Sequence, residues 1–101
     1  MSNNDLEAID EARFVAYVKR KGGEAYKLIR FCRRGWPDRT CVFPGGVVVF
    51  VEMKRRKGGK PSPQQERQRA ELQQLGANVA ICEGFDEAKA YIDGVLKRCN
   101  G

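Results

Sequence analysis

Two isolated carboxylates stand in the most basic segment of the sequence. Residues 27–60 contain ten lysines and arginines but only two acidic residues, Asp38 and Glu52. Basic side chains attract a nucleic acid backbone, and carboxylate oxygens are the ligands that hard divalent cations prefer. The combination predicts metal-dependent chemistry on a phosphodiester, with Asp38 and Glu52 as metal ligands. The alternative is that both carboxylates only form salt bridges with the surrounding cations.

The position of Glu52 in its predicted strand favours the functional interpretation. Glu52 directly follows an apolar run, residues 47–51, that is typical of a buried strand. Residues two apart share one face of a strand, so Phe50, Glu52 and Lys54 should point the same way. A charged glutamate at the end of a central strand is costly unless something pairs with it. A bound metal and Lys54 would pair with Glu52.

Asp38 follows a turn that restricts its direction. In the stretch Gly35-Trp36-Pro37-Asp38, glycine permits an unusual backbone angle and proline restricts its own. Taken alone, Asp38 could equally be an ordinary turn aspartate. However, Asp38 opens one predicted strand and Glu52 ends the next, and an antiparallel hairpin brings those two ends together. We therefore expect the two carboxylates to be neighbours.

The composition narrows the chemistry further. The chain has 101 residues, no histidine and a formal net charge of +6. Without histidine, His-ligated metal sites and Ser-His or Cys-His catalysis are excluded. Any catalysis would then rest on carboxylates, lysine, cysteine or a metal held by carboxylates. The positive charge favours a polyanionic partner, with nucleic acid ahead of a membrane surface.

The cysteines and the N-terminus bear on the compartment. Cys32, Cys41, Cys82 and Cys99 form no C-x-x-C pair, which argues against a zinc site. We expect small buried side chains in a reducing compartment rather than a disulfide framework. The N-terminus carries no targeting signal, and the longest apolar run is too short to span a bilayer. A cytoplasmic protein without a membrane partner is expected.

The pattern of apolar residues and turns predicts a single α/β domain over residues 1–101, with residues 1–5 as an N-terminal tail. A hairpin followed by a crossover helix and a further strand implies a mixed sheet with helices on both faces. The third strand is apolar on both faces, so it should be central and covered on both sides. The predicted order is α-β-β-β-α-β-α, with elements at 6–21, 25–32, 39–43, 47–53, 63–75, 79–83 and 86–97.

The ends and faces of the helices carry further signals. Asn4 or Asp5 could cap the first helix, and Ser62 with Pro63 at the first position could cap the second. We expect the first helix to bury one apolar stripe, with smaller residues widening it. The stripe is Phe14, Val15 and Val18, and the widening residues are Ile9, Ala12 and Ala16.

At this point the residues resemble a known family. Pro37-Asp38, thirteen intervening residues and then Glu52-Met53-Lys54 resemble the PD-(D/E)XK nuclease signature. A wider set of stretches, 34–39, 51–54, 62–65 and 75–77, resembles the stand-alone viral or phage type of VRR-NUC domain, the virus-type replication-repair nuclease. The likeness covers about residues 7–91 and implies a restriction-endonuclease-like core. Trp36 departs from the family, which usually has a smaller aliphatic residue there.

The resemblance implies a Mg²⁺- or Mn²⁺-dependent DNA endonuclease in a bacterial or phage-infected cell. Asp38 and Glu52 would hold one or two metal ions, together with a glutamate of the first helix and the backbone carbonyl of Met53. Lys54 would position the attacking water or stabilise charge in the transition state. Two glutamates of the first helix, one turn apart, are candidates: Glu11, which we prefer because it lies beside the predicted core stripe, and Glu7. Gln65 matches the family's glutamine and would orient Lys54 or the scissile phosphate.

The resemblance also implies a substrate and an assembly. Branched DNA such as four-way junctions or flaps is the expected substrate, and a homodimer is the expected assembly. A rival from another class is a non-catalytic DNA-binding module, but it would have no evident reason to keep Asp38, Glu52 and Lys54. RNA binding would need an aromatic strand face for stacking, which the sequence lacks. The candidate phosphate contacts are Arg30, Arg33, Arg34, Arg55, Arg56, Lys57 and Lys60.

Overall fold

The computed structural model describes residues 3–27, 35–55 and 59–100, with residues 3–6 and 100 described by their backbone alone. The observed order of elements is the predicted one. The predicted strand over 25–32 is described only as far as residue 27. The elements are α1 (Asn3–Arg20), β1 (Glu24–Lys27), β2 (Arg39–Phe43), β3 (Val47–Lys54), α2 (Pro63–Gln74), β4 (Asn78–Glu83) and α3 (Gly84–Asn100).

The four strands form one mixed sheet in the order β1-β2-β3-β4. The β1–β2 and β2–β3 pairs are antiparallel, whereas β4 pairs with β3 in parallel. A short turn joins β2 to β3, and Gly45 and Gly46 adopt positive φ angles there, +87° and +77°, which glycine accepts without steric cost. The connection from β3 to β4 runs through α2, because a parallel neighbour needs a crossover.

One face of the sheet carries the main core. Helices α1 and α3 pack against each other and against this face. The side chains of Val49, Val51 and Met53 alternate along β3 into the same cluster and are at most 2% exposed. Cys41 and Phe43 of β2 and Cys82 of β4 join them, as the strand register requires.

The opposite face is covered over only part of its area. Helix α2 packs against β4, and its buried residues, Gln68 and Leu72, lie outside the main core cluster. Towards the hairpin turn, Val42 and Val48 remain 37% and 36% exposed. The expectation that β3 is covered on both sides is therefore wrong at its start and holds at its end, where Glu52 is buried.

Helix α1 buries a different set of residues from the one predicted. Phe14 and Val18 are fully buried, but Tyr17 and Asp10 join them, while Val15 is only half-buried. The predicted widening residues are exposed, namely Ile9, Ala12 and Ala16. The reason is that α1 packs on α3 as well as on the sheet. The Tyr17 hydroxyl donates a hydrogen bond to Asp93 of α3, and its ring meets Phe85 edge-to-face. This contact turns the buried face towards Tyr17.

The helix starts also differ from expectation. Helix α1 begins at Asn3, so Asn4 and Asp5 lie inside it rather than at its cap. Helix α3 begins at Gly84, two residues before the predicted start. The Ser62 cap of α2 is confirmed, with Pro63 at its first position.

Most of the cysteines that the structure describes are buried, as expected. Cys41 and Cys82 are buried, and burial raises the pKa of both thiols to about 12. Cys99 is exposed and Cys32 lies outside the described residues; the three described cysteines are unpaired. None of the helices in the described ranges is long and apolar enough to cross a membrane.

Candidate active site

The β2–β3 hairpin brings Asp38 and Glu52 together. Arg39 pairs with Val51 in the antiparallel register, so Asp38, one residue earlier, lies opposite Glu52. The Asp38 backbone N–H donates a 3.1 Å hydrogen bond to Glu52 Oε1. Both residues belong to the sheet face that points away from α1 and α3, because β3 places Val51 and Met53 in the main core. The predicted proximity of the two carboxylates is confirmed.

The surroundings of Glu52 disfavour the charged form of its carboxyl group. Its side chain is buried, with the residue only 4% exposed. Burial, and then the neighbouring Asp38 carboxylate, raise the pKa of Glu52 to about 7, while the Lys54 ammonium acts in the opposite direction. Lys54 Nζ lies 3.7 Å from Glu52 Oε2. The Lys54 ammonium therefore lies beside a buried carboxylate that has a second carboxylate, that of Asp38, as its neighbour.

This donor set fits a hard divalent cation. Two adjacent carboxylates supply oxygen ligands, and a cation would relieve the charge imbalance that burial of Glu52 creates. Over residues 3–27, 35–55 and 59–100, no group of three or more His, Cys, Asp or Glu side chains is arranged to hold a metal. Remaining ligands to a metal at Asp38 and Glu52 would have to be main-chain carbonyls such as that of Met53, water or substrate oxygens.

Glu11 lies in a different environment. Its Oε1 accepts hydrogen bonds from Arg39 Nε at 3.1 Å and from the terminal Nη2 of Arg39 at 2.9 Å. Lys27 Nζ is 4.0 Å from the same oxygen. Arg39 pairs with Val51 and shares its face of the sheet, so Glu11 sits on the α1 side rather than beside Asp38 and Glu52. Glu11 thus lies beside the first residue of β2, where its carboxylate is bound by Arg39 and lies near Lys27.

The other glutamate of α1 considered above is Glu7. It lines a cavity with Lys54 and with two of the predicted phosphate contacts, Arg55 and Lys60. The remaining predicted contacts lie outside the described residues, namely Arg30, Arg33, Arg34, Arg56 and Lys57. The cavity therefore joins one acidic residue of α1 to the basic end of β3.

A second cavity lies beside Lys54 and includes a cation that the sequence did not single out. Arg69 of α2 lines it together with Lys54 and Glu83 of β4. Arg69 donates to Glu66 at 2.8 Å and to Gln73 at 2.9 Å. Those partners lie three and four residues away on the same helix, a spacing that usually indicates a solvated surface pair, and this is why Arg69 gave no functional signal.

Gln65 takes part in the start of α2. Its side-chain oxygen accepts a 2.9 Å hydrogen bond from the Ser62 backbone N–H, and its own backbone N–H donates to Ser62 Oγ at 3.1 Å. This reciprocal pair is a capping box, whose signature is a serine followed three residues later by glutamine or glutamate. The spacing was present in the sequence, but only the Ser62 half of the pair was anticipated.

The loop before Asp38 lies against α2 and the sheet. Gly35 has a φ of +90°, and a Cβ there would come within 2.4 Å of the Gln64 carbonyl oxygen, so only glycine fits. The Trp36 ring packs edge-to-face on Phe50, with centroids 5.5 Å apart. Within the described ranges, the indole N–H of Trp36 and the hydroxyl of Thr40 are buried without a hydrogen-bond partner. Trp36, where the resemblance was weakest, is thus accommodated on Phe50.

The chain was compared with protein families, curated proteins and solved structures. No family model matches the chain. A curated protein from Acyrthosiphon pisum secondary endosymbiont phage 1, named "Putative nuclease p44", is 42% identical over 76 residues, which cover 75% of this chain and 81% of that protein.

Two solved structures share the fold. One, titled "VRR_NUC domain", has a TM-score of 0.79 and 31% identity, and covers 87% of this chain and 95% of its own. Another, titled "VRR_NUC domain protein", has a TM-score of 0.75 over 91% of this chain and 88% of its own, and at 18% identity it supports the fold alone. The extent and identity of these matches, together with the shared order of elements, show that the chain belongs to the VRR-NUC family of nucleases.

Proposed function

We propose that this protein is a Mg²⁺- or Mn²⁺-dependent DNA endonuclease in which Asp38 and Glu52 hold the metal. The observation that carries the proposal is the pair of adjacent carboxylates at the end of the hairpin, of which Glu52 is buried. Glu52 accepts a hydrogen bond from the Asp38 N–H, and burial and Asp38 raise the pKa of Glu52 to about 7. A fold does not benefit from two such carboxylates unless a cation joins them. The rival, a non-catalytic DNA-binding module, leaves this cost unexplained.

The chain's own residues divide the work as follows. Asp38 and Glu52 present carboxylate oxygens to the metal, which would supply an activated water and stabilise the leaving oxygen when bound. Lys54 Nζ, 3.7 Å from Glu52, is held where it can position that water or offset negative charge developing on the phosphate. The basic residues beside it, Arg55 and Lys60, would hold the phosphates on either side of the bond that is cut.

Helix α1 carries two glutamates, Glu7 and Glu11, to which we assign different roles. Glu11, which the sequence favoured, is engaged by Arg39. Glu7 lines the cavity that contains Lys54, and its position supports a role next to the metal site. We therefore assign the functional glutamate of α1 to Glu7 and the positioning of strand β2 to Glu11.

The substrate and the assembly are extensions of this proposal. Branched DNA is the substrate that the family resemblance implies, and a two-fold homodimer would give paired cuts on opposite strands. Such an enzyme would act in replication, repair or recombination in the cytoplasm of a bacterium or an infected host cell.

The decisive experiment is cleavage of a panel of four-way junctions, flaps and linear duplexes with Mg²⁺, Mn²⁺ or EDTA. We expect cleavage that requires the metal and favours branched DNA. Asp38→Asn and Glu52→Gln should be inactive while still binding DNA, and Glu24→Gln, at an exposed position on β1, serves as the matched control. Metal-independent cleavage, or full activity of either site variant, would reject the proposal. Light scattering at high micromolar concentration tests the dimer.

A further inference from the structure

We propose that Gln65 is a positioning residue, which acts on the metal site through the capping box of α2 rather than by contact with the phosphate. The box holds the first turn of α2 against Gly35 and so fixes the loop that carries Asp38. This inference rests on the proposed function, because it takes Asp38 to be a metal ligand. It concerns a residue that the family motif includes but whose side chain the structure shows engaged with Ser62.

The first step is the capping box itself. The Ser62 N–H donates to Gln65 Oε1, and the Gln65 N–H donates to Ser62 Oγ. Each interaction satisfies a backbone donor that would otherwise lack a partner at a helix start. The side-chain oxygen of Gln65 is therefore already used, and its use is to define where α2 begins.

The second step is the contact between that helix start and the loop. Gly35 approaches the backbone of α2 so closely that a Cβ would lie 2.4 Å from the Gln64 oxygen and 2.9 Å from the Gln65 nitrogen. Contact between backbones leaves no flexible side chain to absorb a shift. A displacement of the first turn of α2 must consequently move Gly35, or open a gap beneath it.

The third step leads from Gly35 to Asp38. Three peptide bonds separate them, and Pro37 between them is buried and has a restricted φ. The Trp36 ring is held on Phe50, and the Asp38 N–H is held by Glu52. The loop is thus fixed at Gly35, at Trp36 and at Asp38, and the first of these points is supplied by α2.

A direct role for Gln65 makes a different prediction from a positioning role. If its side-chain NH₂ group donated to Lys54 or to the phosphate, glutamate at this position would fail, because a carboxylate has no such donor. If Gln65 acts through the box, glutamate should serve, because the third position of a capping box accepts either residue. Ser62 should then matter as much as Gln65, although it is not expected to contact the substrate.

The experiment measures cleavage rate and Mn²⁺ affinity, by titration calorimetry, for variants of the full chain. We expect Gln65→Ala and Ser62→Ala each to lower cleavage roughly 10-fold to 100-fold, since a misplacement of about 1 Å costs on the order of 100-fold. Both should weaken Mn²⁺ binding. Gln65→Glu and Ser62→Thr should restore both quantities. Gln74→Ala, at an exposed position at the other end of α2, is the matched control and should change neither.

Two results would overturn the inference. In the first, Gln65→Glu is as inactive as Gln65→Ala, and both variants bind Mn²⁺ with normal affinity. In the second, Ser62→Ala is fully active. The variants Ser62→Ala and Ser62→Thr involve no change of charge. They provide the test if Gln65→Ala fails to fold. Failure of the proposed function has a separate signature, because Asp38→Asn would then stay active. An inactive Asp38→Asn with a fully active Ser62→Ala rejects the positioning role alone.

Discussion

Asp38 and Arg39 are neighbours in sequence, yet they lie on opposite faces of the sheet, where the local charges are balanced differently. On the α1 face, Glu11 accepts two hydrogen bonds from Arg39 and lies 4.0 Å from Lys27. On the other face, Glu52 accepts a hydrogen bond from the Asp38 N–H, and Lys54 Nζ lies 3.7 Å from its carboxylate. The first carboxylate is satisfied by the fold, whereas burial and the neighbouring Asp38 carboxylate raise the pKa of Glu52 to about 7. The comparison teaches that the balance of partners, more than the presence of carboxylates, separates a structural ion pair from a candidate metal site.

The largest effect should come from removing the charge of Asp38 or of Glu52. Asp38→Asn and Glu52→Gln should each lower the cleavage rate by at least roughly 100-fold without lowering the melting temperature in metal-free buffer, because each removes repulsion between like charges. Cleavage assays and thermal unfolding check this. A marked loss of stability in both variants would mean that the pair serves the fold after all, and the contrast between the faces would disappear.

The two glutamates of α1 provide the next test. Glu11→Ala should destabilise the fold by about 1–3 kcal/mol, because it removes hydrogen bonds to the charged Arg39 side chain, while the folded protein keeps most of its activity. Glu7→Ala should leave stability unchanged and slow cleavage, because Glu7 lines the cavity of Lys54. Urea unfolding and single-turnover cleavage, with Glu24→Ala as control, separate them. The reverse pattern would restore Glu11 as the metal-site residue.

A smaller effect is expected for the cations at the end of β3. If Arg55 and Lys60 contact phosphates, alanine at each should reduce the slope of log affinity against log salt by roughly 0.9 on duplex DNA. Lys54→Ala should instead reduce turnover much more than affinity, since Lys54 faces Glu52. Lys97→Ala, at an exposed position on α3, is the matched control. If the slope is unchanged when Arg55 and Lys60 are both replaced by alanine, these two cations only face solvent.

The smallest predicted effect concerns a second satisfied carboxylate, Asp93. Burial raises the pKa of Asp93, but the hydrogen bonds from Tyr17 and Lys89 outweigh it and hold the pKa below its ordinary value. A lowered folded-state pKa stabilises the fold above the unfolded-state pKa, about 3.9, and that stability is lost as the pH falls further. Asp93→Asn should therefore be less stable than the wild type at neutral pH, and the difference should vanish in acid. A constant difference across pH would contradict the assignment.

The sequence predicted the fold and the hairpin because both rest on local signals. Apolar runs, turn residues and the Ser62-Pro63 helix start act over a few residues, and the proximity of Asp38 to Glu52 followed from hairpin geometry alone. Those features do not depend on what packs above the sheet.

The prediction failed where distant elements decide the outcome. Tyr17 is buried because α3 supplies Asp93 and Phe85, and no periodicity within α1 reveals that partner. The preference for Glu11 over Glu7 stays a prediction, and the hydrogen bonds that Glu11 accepts from Arg39, 28 residues away, were likewise not visible from α1 alone. The spacing of Ser62 and Gln65 matches a capping box, although only the Ser62 half of it was anticipated, and the close approach of Gly35 to this helix start required the tertiary structure.

The short hairpin between β2 and β3 has a consequence for the order in which the protein is assembled. The contact between Asp38 and Glu52 spans 14 residues, whereas the hydrogen bond from Tyr17 to Asp93 spans 76. Closing the longer loop costs about 1.5 kcal/mol more in chain entropy. The carboxylates are thus brought together by the shorter and less costly of these two closures. We expect the hairpin to form before α1 and α3 dock, so that the negative charge of the pair accumulates early and folding accelerates when a divalent cation is present.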